Sequence, residues 1–263
     1  MGEIEVTSNF QALILGIVQG IAEFLPISST AHLILFPKFF GWAEHPLVFD
    51  TTLHLGSALA LITYFWKDLV EILVRNRKLG YQILAGSIPA GILGVLVGDY
   101  VEGIFRGVGF VALFLLIGSL LMYLAELYQR KIVSTSLTFK NAFLIGLFQA
   151  FALLPGISRS GATISGGLLL GHDKQFSARI SFLLSIPIVI VAGLYKGISS
   201  FSDLSSIALP TVLIGLLSSF GAGVLSINFL LKYINKMGLK AFVVYRVVLA
   251  LILLATLRGI YFW

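Results

Sequence analysis

The stretch Gln19-Gly-Ile-Ala-Glu23-Phe-Leu-Pro26-Ile-Ser28-Ser29-Thr30-Ala-His32 sets a carboxylate, three hydroxyls and an imidazole among apolar residues, with a proline at its centre. A second stretch, Pro155-Gly156-Ile-Ser158-Arg159-Ser160-Gly161-Ala-Thr163, sets a guanidinium among hydroxyls beside a Pro-Gly break. Shifted by 130 positions without gaps, Gly16 falls on Gly146, Gln19 on Gln149, Ala22 on Ala152, Ile27 on Ile157 and Ser28 on Ser158. Polar matches beside a proline break in both copies point to an internal duplication, not to chance likeness between apolar segments.

Working outward, the composition leaves one solvent for most of the surface. The chain has 263 residues, 58% hydrophobic and 11% charged, with a mean hydropathy of +0.99; soluble domains carry roughly 25% charged residues. Lipid must cover most of it. The absence of cysteine excludes disulfides, thiolate metal sites and cysteine nucleophiles. The net charge of +6 fits cytoplasmic loops, not nucleic-acid binding. The start, MGEIEVTSNF, lacks the basic residues and cleavage site of a signal peptide, so the first hydrophobic segment is expected to remain in the mature protein.

Ten apolar stretches follow. A short pair at 10–25 and 28–42, broken at Pro26, precedes longer segments at 47–66, 81–99 and 107–127. A second short pair at 139–154 and 157–171, broken at Pro155-Gly156, precedes segments at 178–196, 207–231 and 241–262. A span needs about 20 apolar residues, and shorter segments suit re-entrant elements. The expected fold is an all-α polytopic membrane protein, a single membrane domain over 1–263 with repeat halves 10–130 and 139–262. Each half is one re-entrant helical hairpin plus three transmembrane helices, six full spans in total. Three spans per half make the second copy enter from the opposite side, an inverted repeat.

Charge counting orients it. With the N-terminus outside, the loops 67–80, 128–140, 172–179 and 232–240 are cytoplasmic and hold 12 of the 18 basic residues: Lys67, Arg75, Arg77, Lys78, Arg130, Lys131, Lys140, Lys174, Arg179, Lys232, Lys236 and Lys240. Lys38, Arg106, Lys196 and Arg258 fall outside, and Arg159 and Arg246 within membrane segments. The positive-inside rule then places both termini outside.

Ionisable groups in lipid are functional candidates by default. Gln19 and Glu23 are four apart and share a helix face. Pro26 ends that helix, and a residue of the Ser28-Ser29-Thr30 run caps the next. His32, three residues after Ser29 and four after Ser28, lies on one face with them. In the second hairpin Ser158 caps the outgoing helix, and Arg159 offers a planar fork for phosphate oxygens, or a resting partner for Glu23. Gly161 permits close backbone approach, and Thr163 lies one turn on. Inverted hairpins bring both half-helix N-termini together as an anion site. One carboxylate, Glu23, with Gln19 is too few for a protein cage but suits a divalent cation that arrives with phosphate. The residues therefore suggest a diphosphate–metal substrate reached from lipid.

These motifs resemble those of the bacitracin-resistance type undecaprenyl-diphosphate phosphatases: a Glu/Gln-x-x-x-Glu motif, here Gln19 to Glu23; a Pro-x-Ser-Ser-Thr-x-His run, here Pro26 to His32; and Pro-Gly-x-Ser-Arg-Ser-x-x-Thr, here Pro155 to Thr163. The first takes the Gln variant, leaving one carboxylate where many members have two. The likeness extends to length and to Phe-Ser-Ala-Arg-Ile-Ser-Phe-Leu-Leu-Ser-Ile-Pro at 176–187. It implies hydrolysis of undecaprenyl diphosphate to the monophosphate, recycling the lipid carrier for peptidoglycan. It further implies bacitracin resistance, a Mg²⁺ or Ca²⁺ cofactor, and a site on the outer side of the bacterial cytoplasmic membrane. A homodimer is compatible with it.

On this reading Ser29 attacks the terminal phosphorus, His32 serves as base or orients Ser29, and Glu23 with Gln19 positions the cation. Arg159, Ser158, Ser160 and Thr163 hold phosphate oxygens, with Ser28 and Thr30 as further substrate contacts. His32 as nucleophile and metal-activated water stay open. His54 and Arg246 are added as substrate-binding candidates, and Asp50 and Trp42 are assigned to the membrane interface. A lipid-phosphate flippase or transporter using the same midplane site is the alternative function.

Overall fold

The computed structural model describes residues 8–43, 45, 47–129, 134–199 and 207–258. Arg130, Lys131 and both chain ends, on which the topology reading drew, lie outside these residues. Among the described residues there are eleven helices and one isolated bridge, Ser134 to His172. In chain order they are α1 (Asn9–Phe24), α2 (Ser29–Phe40), α3 (Leu47–Tyr64), α4 (Trp66–Val74), α5 (Arg77–Phe105), α6 (Val108–Leu127), α7 (Phe139–Phe151), α8 (Arg159–Leu169), α9 (Lys174–Ser199), α10 (Leu209–Met237) and α11 (Lys240–Arg258). Among the described residues four helices, α5, α6, α9 and α10, are long and apolar enough to cross a membrane.

The breaks fall where local chemistry puts them. A capping box between Ser8 and Gln11 starts α1. The helix ends at Leu25, which is extended (φ −69°, ψ 140°) ahead of Pro26. Ser28 starts α2 by accepting from the Ala31 amide, and Ser158 starts α8 by accepting from the Gly161 amide. The cytoplasmic loop expected over 67–80 is partly helical: it contains α4. Trp66, Leu73 and Val74 on this helix are exposed, which suits a short helix lying along the membrane surface.

Without water to drive burial, lipid-embedded helices associate through close packing of small residues. α1 packs on α10 and α7 packs on α5. A β-carbon on Gly16 would lie 2.5 Å from the Gly215 carbonyl oxygen, and one on Gly146 would lie 2.1 Å from that of Gly86. Only glycine allows either approach. The hydroxyls follow suit: Ser219 on α10 donates to the Leu53 carbonyl, and Ser87 on α5 donates to the Leu184 carbonyl. α6 packs on α11 and α3 on α9. Phe24, Phe65 and Phe182 fill the main core, the Phe24 ring meeting that of Phe182 edge-on at 5.5 Å.

The two ends of the bundle differ. At one end, Arg179 bonds Asp68, Lys174 bonds Glu126, and Tyr64 bonds Asn228. These contacts join α4 and the end of α6 to the first turns of α9, and the end of α3 to α10. A cleft of about 470 Å³ there is lined by Asp173, Arg179 and Lys232 and holds none of the buried motif residues. At the other end, Arg106 after α5 bonds both Glu102 and Asp50, tying α5 to the start of α3.

Candidate active site

Glu23 sits at the last turn of α1 and organises the site. Its Oε1 accepts from Arg159 Nη2 at 2.8 Å, and its Oε2 accepts from Ser29 Oγ at 2.8 Å and from Gln19 Nε2 at 3.1 Å. His54 Nε2 lies 3.8 Å from Oε2. The carboxylate is 9% exposed and Gln19 fully buried. A buried charge persists only when paired and hydrogen-bonded, and this one is both.

The two helix starts face each other across this group. Ser28 and Ser158 are the only described non-glycine residues with left-handed backbone, at φ 76° and 74°. Each costs of order 1–3 kcal/mol in strain, of the kind that concentrates at ligand sites. Each serine hydroxyl turns back onto its own helix to accept from the third-residue amide, and a helix start of this kind leaves the remaining first-turn N–H groups available to an anion. Arg159 Nη1 is buried and has no hydrogen-bond partner, so a donor remains free beside the carboxylate.

A cavity of about 370 Å³ opens over this group. It is lined by Glu23, Ser28, Ser29, Thr30, His54, Ser158 and Arg159. From there it runs outward as an apolar groove between Gly91, Gly94 and Gly98 on α5 and Ile188, Val191 and Ala192 on α9. Its rim carries Asp50, Asp99, Glu102 and Arg106. Asp50, assigned to the interface, therefore stands at the mouth of the cavity.

Five predicted residues lie behind this wall. Gln19 supports Glu23 and reaches Ser57 at 3.4 Å. Ser160 bonds Ser158, and Thr163 bonds the Arg159 carbonyl and Ser181. They shape the loop that carries Arg159 and do not face the cavity. His32 is likewise committed elsewhere. Its Nδ1 is 2.8 Å from the Ser28 carbonyl, and its Nε2 is 2.6 Å from the Tyr245 hydroxyl. A carbonyl only accepts, so Nδ1 carries the hydrogen and the neutral ring accepts from Tyr245 at Nε2. His32, expected to serve as base or to orient Ser29, bonds Ser28 and Tyr245 instead, and the group on the Ser29 hydroxyl is Glu23. Arg246, expected to bind substrate, is fully buried and spends its donors on protein oxygens. Tyr245, Ser57 and Ser181 were not anticipated as site support, because their partners are far away in sequence and no local pattern marks them.

The family model of the bacitracin resistance protein BacA matches residues 12–252. The chain belongs to the BacA family. Relatives include the undecaprenyl-diphosphatase of Caldicellulosiruptor bescii, 43% identical over 94% of this chain and 97% of the relative. The enzyme of the same name from Methanosphaera stadtmanae is 41% identical over 92% and 95%, and that from Marinobacter nauticus 39% identical over 94% and 98%. Membership of the BacA family, together with four described helices long and apolar enough to cross a membrane, makes the chain an integral membrane protein.

Proposed function

We propose that the chain is an undecaprenyl-diphosphate phosphatase that returns the lipid carrier to cell-wall synthesis and so confers bacitracin resistance. The observation that carries this is the joined cavity. A serine hydroxyl, its carboxylate acceptor and a guanidinium with a spare donor meet two helix N-termini at one end, and an apolar groove leads away from them. The polar end matches a diphosphate and the groove an isoprenoid chain. The names of the relatives agree.

Ser29 Oγ attacks the terminal phosphorus while its proton passes to Glu23 Oε2. The new Oγ–P bond forms as the anhydride P–O bond breaks, releasing undecaprenyl phosphate. Water then cleaves the phosphoserine and restores the hydroxyl. Arg159 and the first-turn amides of α2 and α8 hold the equatorial oxygens, the term that dominates phosphoryl transfer.

A divalent cation fits this site as a companion of the substrate. The Glu23 carboxylate, a hard donor, lines the cavity, and behind it Gln19 Oε1 is a buried oxygen without a partner, so Glu23 would hold the cation and the Gln19 carbonyl would support it from behind. Among the described residues no three His, Asp or Glu side chains gather into a cage, so phosphate and water would complete the shell. A bound cation would neutralise charge on the phosphate oxygens. Release of phosphate from undecaprenyl diphosphate in detergent is the direct test. It is expected to fall at least about tenfold with chelator and to return with Mg²⁺ or Ca²⁺. Unchanged release in chelator would remove the cation from the reading.

The groove makes a separate prediction. A β-carbon on Gly98 meets nothing within 4 Å, so Gly98→Leu is accommodated and projects into the chain's path. Its kcat/KM for the long prenyl diphosphate is expected to drop about ten- to 100-fold, while a short-chain prenyl diphosphate is cleaved as before. Equal loss on both substrates would move the chain elsewhere.

The inverted repeat and six-span count remain part of this reading, with α3 and α11 joining the four long helices. The glycine and serine contacts above support it. The glycine contacts recur between α1 and α10 and between α7 and α5, and the serine contacts between α10 and α3 and between α5 and α9, at positions about 130 apart. Topology follows from the two ends. Lys67, Arg75, Lys174, Arg179, Lys232 and Lys240 lie at or beside the helix ends remote from the cavity mouth. By the positive-inside rule the mouth then faces the outer side, with both termini outside.

A further inference from the structure

Arg246 lies on α11, outside both motifs, yet it is fully buried. Its Nη1 donates to the Pro26 carbonyl at 3.4 Å, and its Nη2 donates to the Gly156 carbonyl at 2.9 Å and the Leu115 carbonyl at 3.2 Å. Its Nε donates to Ser119 Oγ at 3.1 Å. Pro26 and Gly156 are equivalent positions of the two breaks, 130 apart, and each stands two residues before a left-handed serine, Ser28 or Ser158. The room for the guanidinium is made by Gly118, where a β-carbon would come within 2.3 Å of Nη2.

We propose that Arg246 is a positioning residue that ties the two chain breaks to one guanidinium and thereby sets the spacing of Ser29 and Arg159. A planar fork has donors on two nitrogens in fixed relation, so it holds two carbonyls at a set separation; an ammonium is a point donor without that geometry. Burying such a group is costly unless it is fully bonded, and here the carbonyls left free by both chain breaks supply the acceptors. Arg246 does not line the cavity, so its effect on the reaction passes through Pro26 and Gly156.

The test compares wild type with Arg246→Lys. The chain has no cysteine, so cysteines at Ile21 and Phe151, both exposed on the helices leading into the breaks, carry a unique nitroxide pair. The wild-type distance distribution is expected to be narrow and that of Arg246→Lys broadened or displaced. In unlabelled protein, kcat for undecaprenyl diphosphate is expected to fall about 30-fold or more, with KM within about threefold, because the chain groove is untouched. An unchanged distribution, or kcat within twofold of wild type, overturns the proposal. Should the lysine protein not fold, Ser119→Ala removes one acceptor only. A three- to tenfold loss of kcat at constant KM is then expected, and full activity overturns the proposal. The kinetic arm rests on the phosphatase reading. The distance arm does not, so a wild type inactive on prenyl diphosphates would sink that reading and leave the clamp to be judged by distance.

Discussion

Ser29→Ala is expected to lower kcat for undecaprenyl diphosphate by about 1,000-fold or more, equivalent to about 4 kcal/mol of transition-state stabilisation. The protein should keep its fold, because the lost hydroxyl makes one hydrogen bond, to Glu23, and Glu23 retains Arg159 and Gln19. Two measurements check it: phosphate release at saturating substrate, and a quenched reaction with substrate labelled in the terminal phosphate. Wild type should carry label on Ser29, and Ser29→Ala none. Label on His32, or full turnover by the alanine protein, would refute the serine scheme. Glu23→Gln should act through the same step: the amide still faces Ser29 but takes no proton, and a loss of about 100- to 10,000-fold follows from removing a general base.

Arg159→Met is expected to cost about 1,000- to 100,000-fold in kcat, the range for removing a guanidinium that stabilises a phosphoryl transition state. It should also destabilise the protein, since it leaves Glu23 charged, buried and short of a partner; breaking such a pair costs about 3–5 kcal/mol. These consequences separate in the double variant Glu23→Gln/Arg159→Met. With both charges gone, thermal stability in detergent should return most of the way to wild type while phosphate release stays at the level of the single variants. Recovery of activity along with stability would mean that the pair is purely structural. Arg159→Lys should keep part of the stability but little of the rate, because a lysine lacks the second fork nitrogen that stands unpartnered beside the cavity.

Much of this site was legible locally. Pro26 and Pro155-Gly156 end helices for steric reasons that need no tertiary context, and Ser28 and Ser158 cap the next helices as their spacing implies. Glu23 and Arg159 announced themselves by their cost in lipid. The role of His32 was not legible. Its spacing from Ser28 and Ser29 fits a base and equally fits a brace, and the decision falls to Tyr245, 213 residues away. Arg246 carried the same ambiguity. A lone arginine in an apolar helix signals function but not direction, and only packing shows that its fork meets backbone carbonyls rather than the cavity.

The sequence by itself determined the lipid setting, the two breaks with their serine caps and which charged groups must find partners, because each follows from composition or from neighbours within a turn; it did not show α4 or the full length of α5 and α9. Tertiary structure alone decided which partner each group took. Glu23 meets Ser29 and Arg159 together, the glycines of α5 leave a groove beside them, and one guanidinium on α11 binds both breaks. Those pairings join residues up to 220 positions apart. They depend on how closely whole helices approach, and no local spacing encodes that.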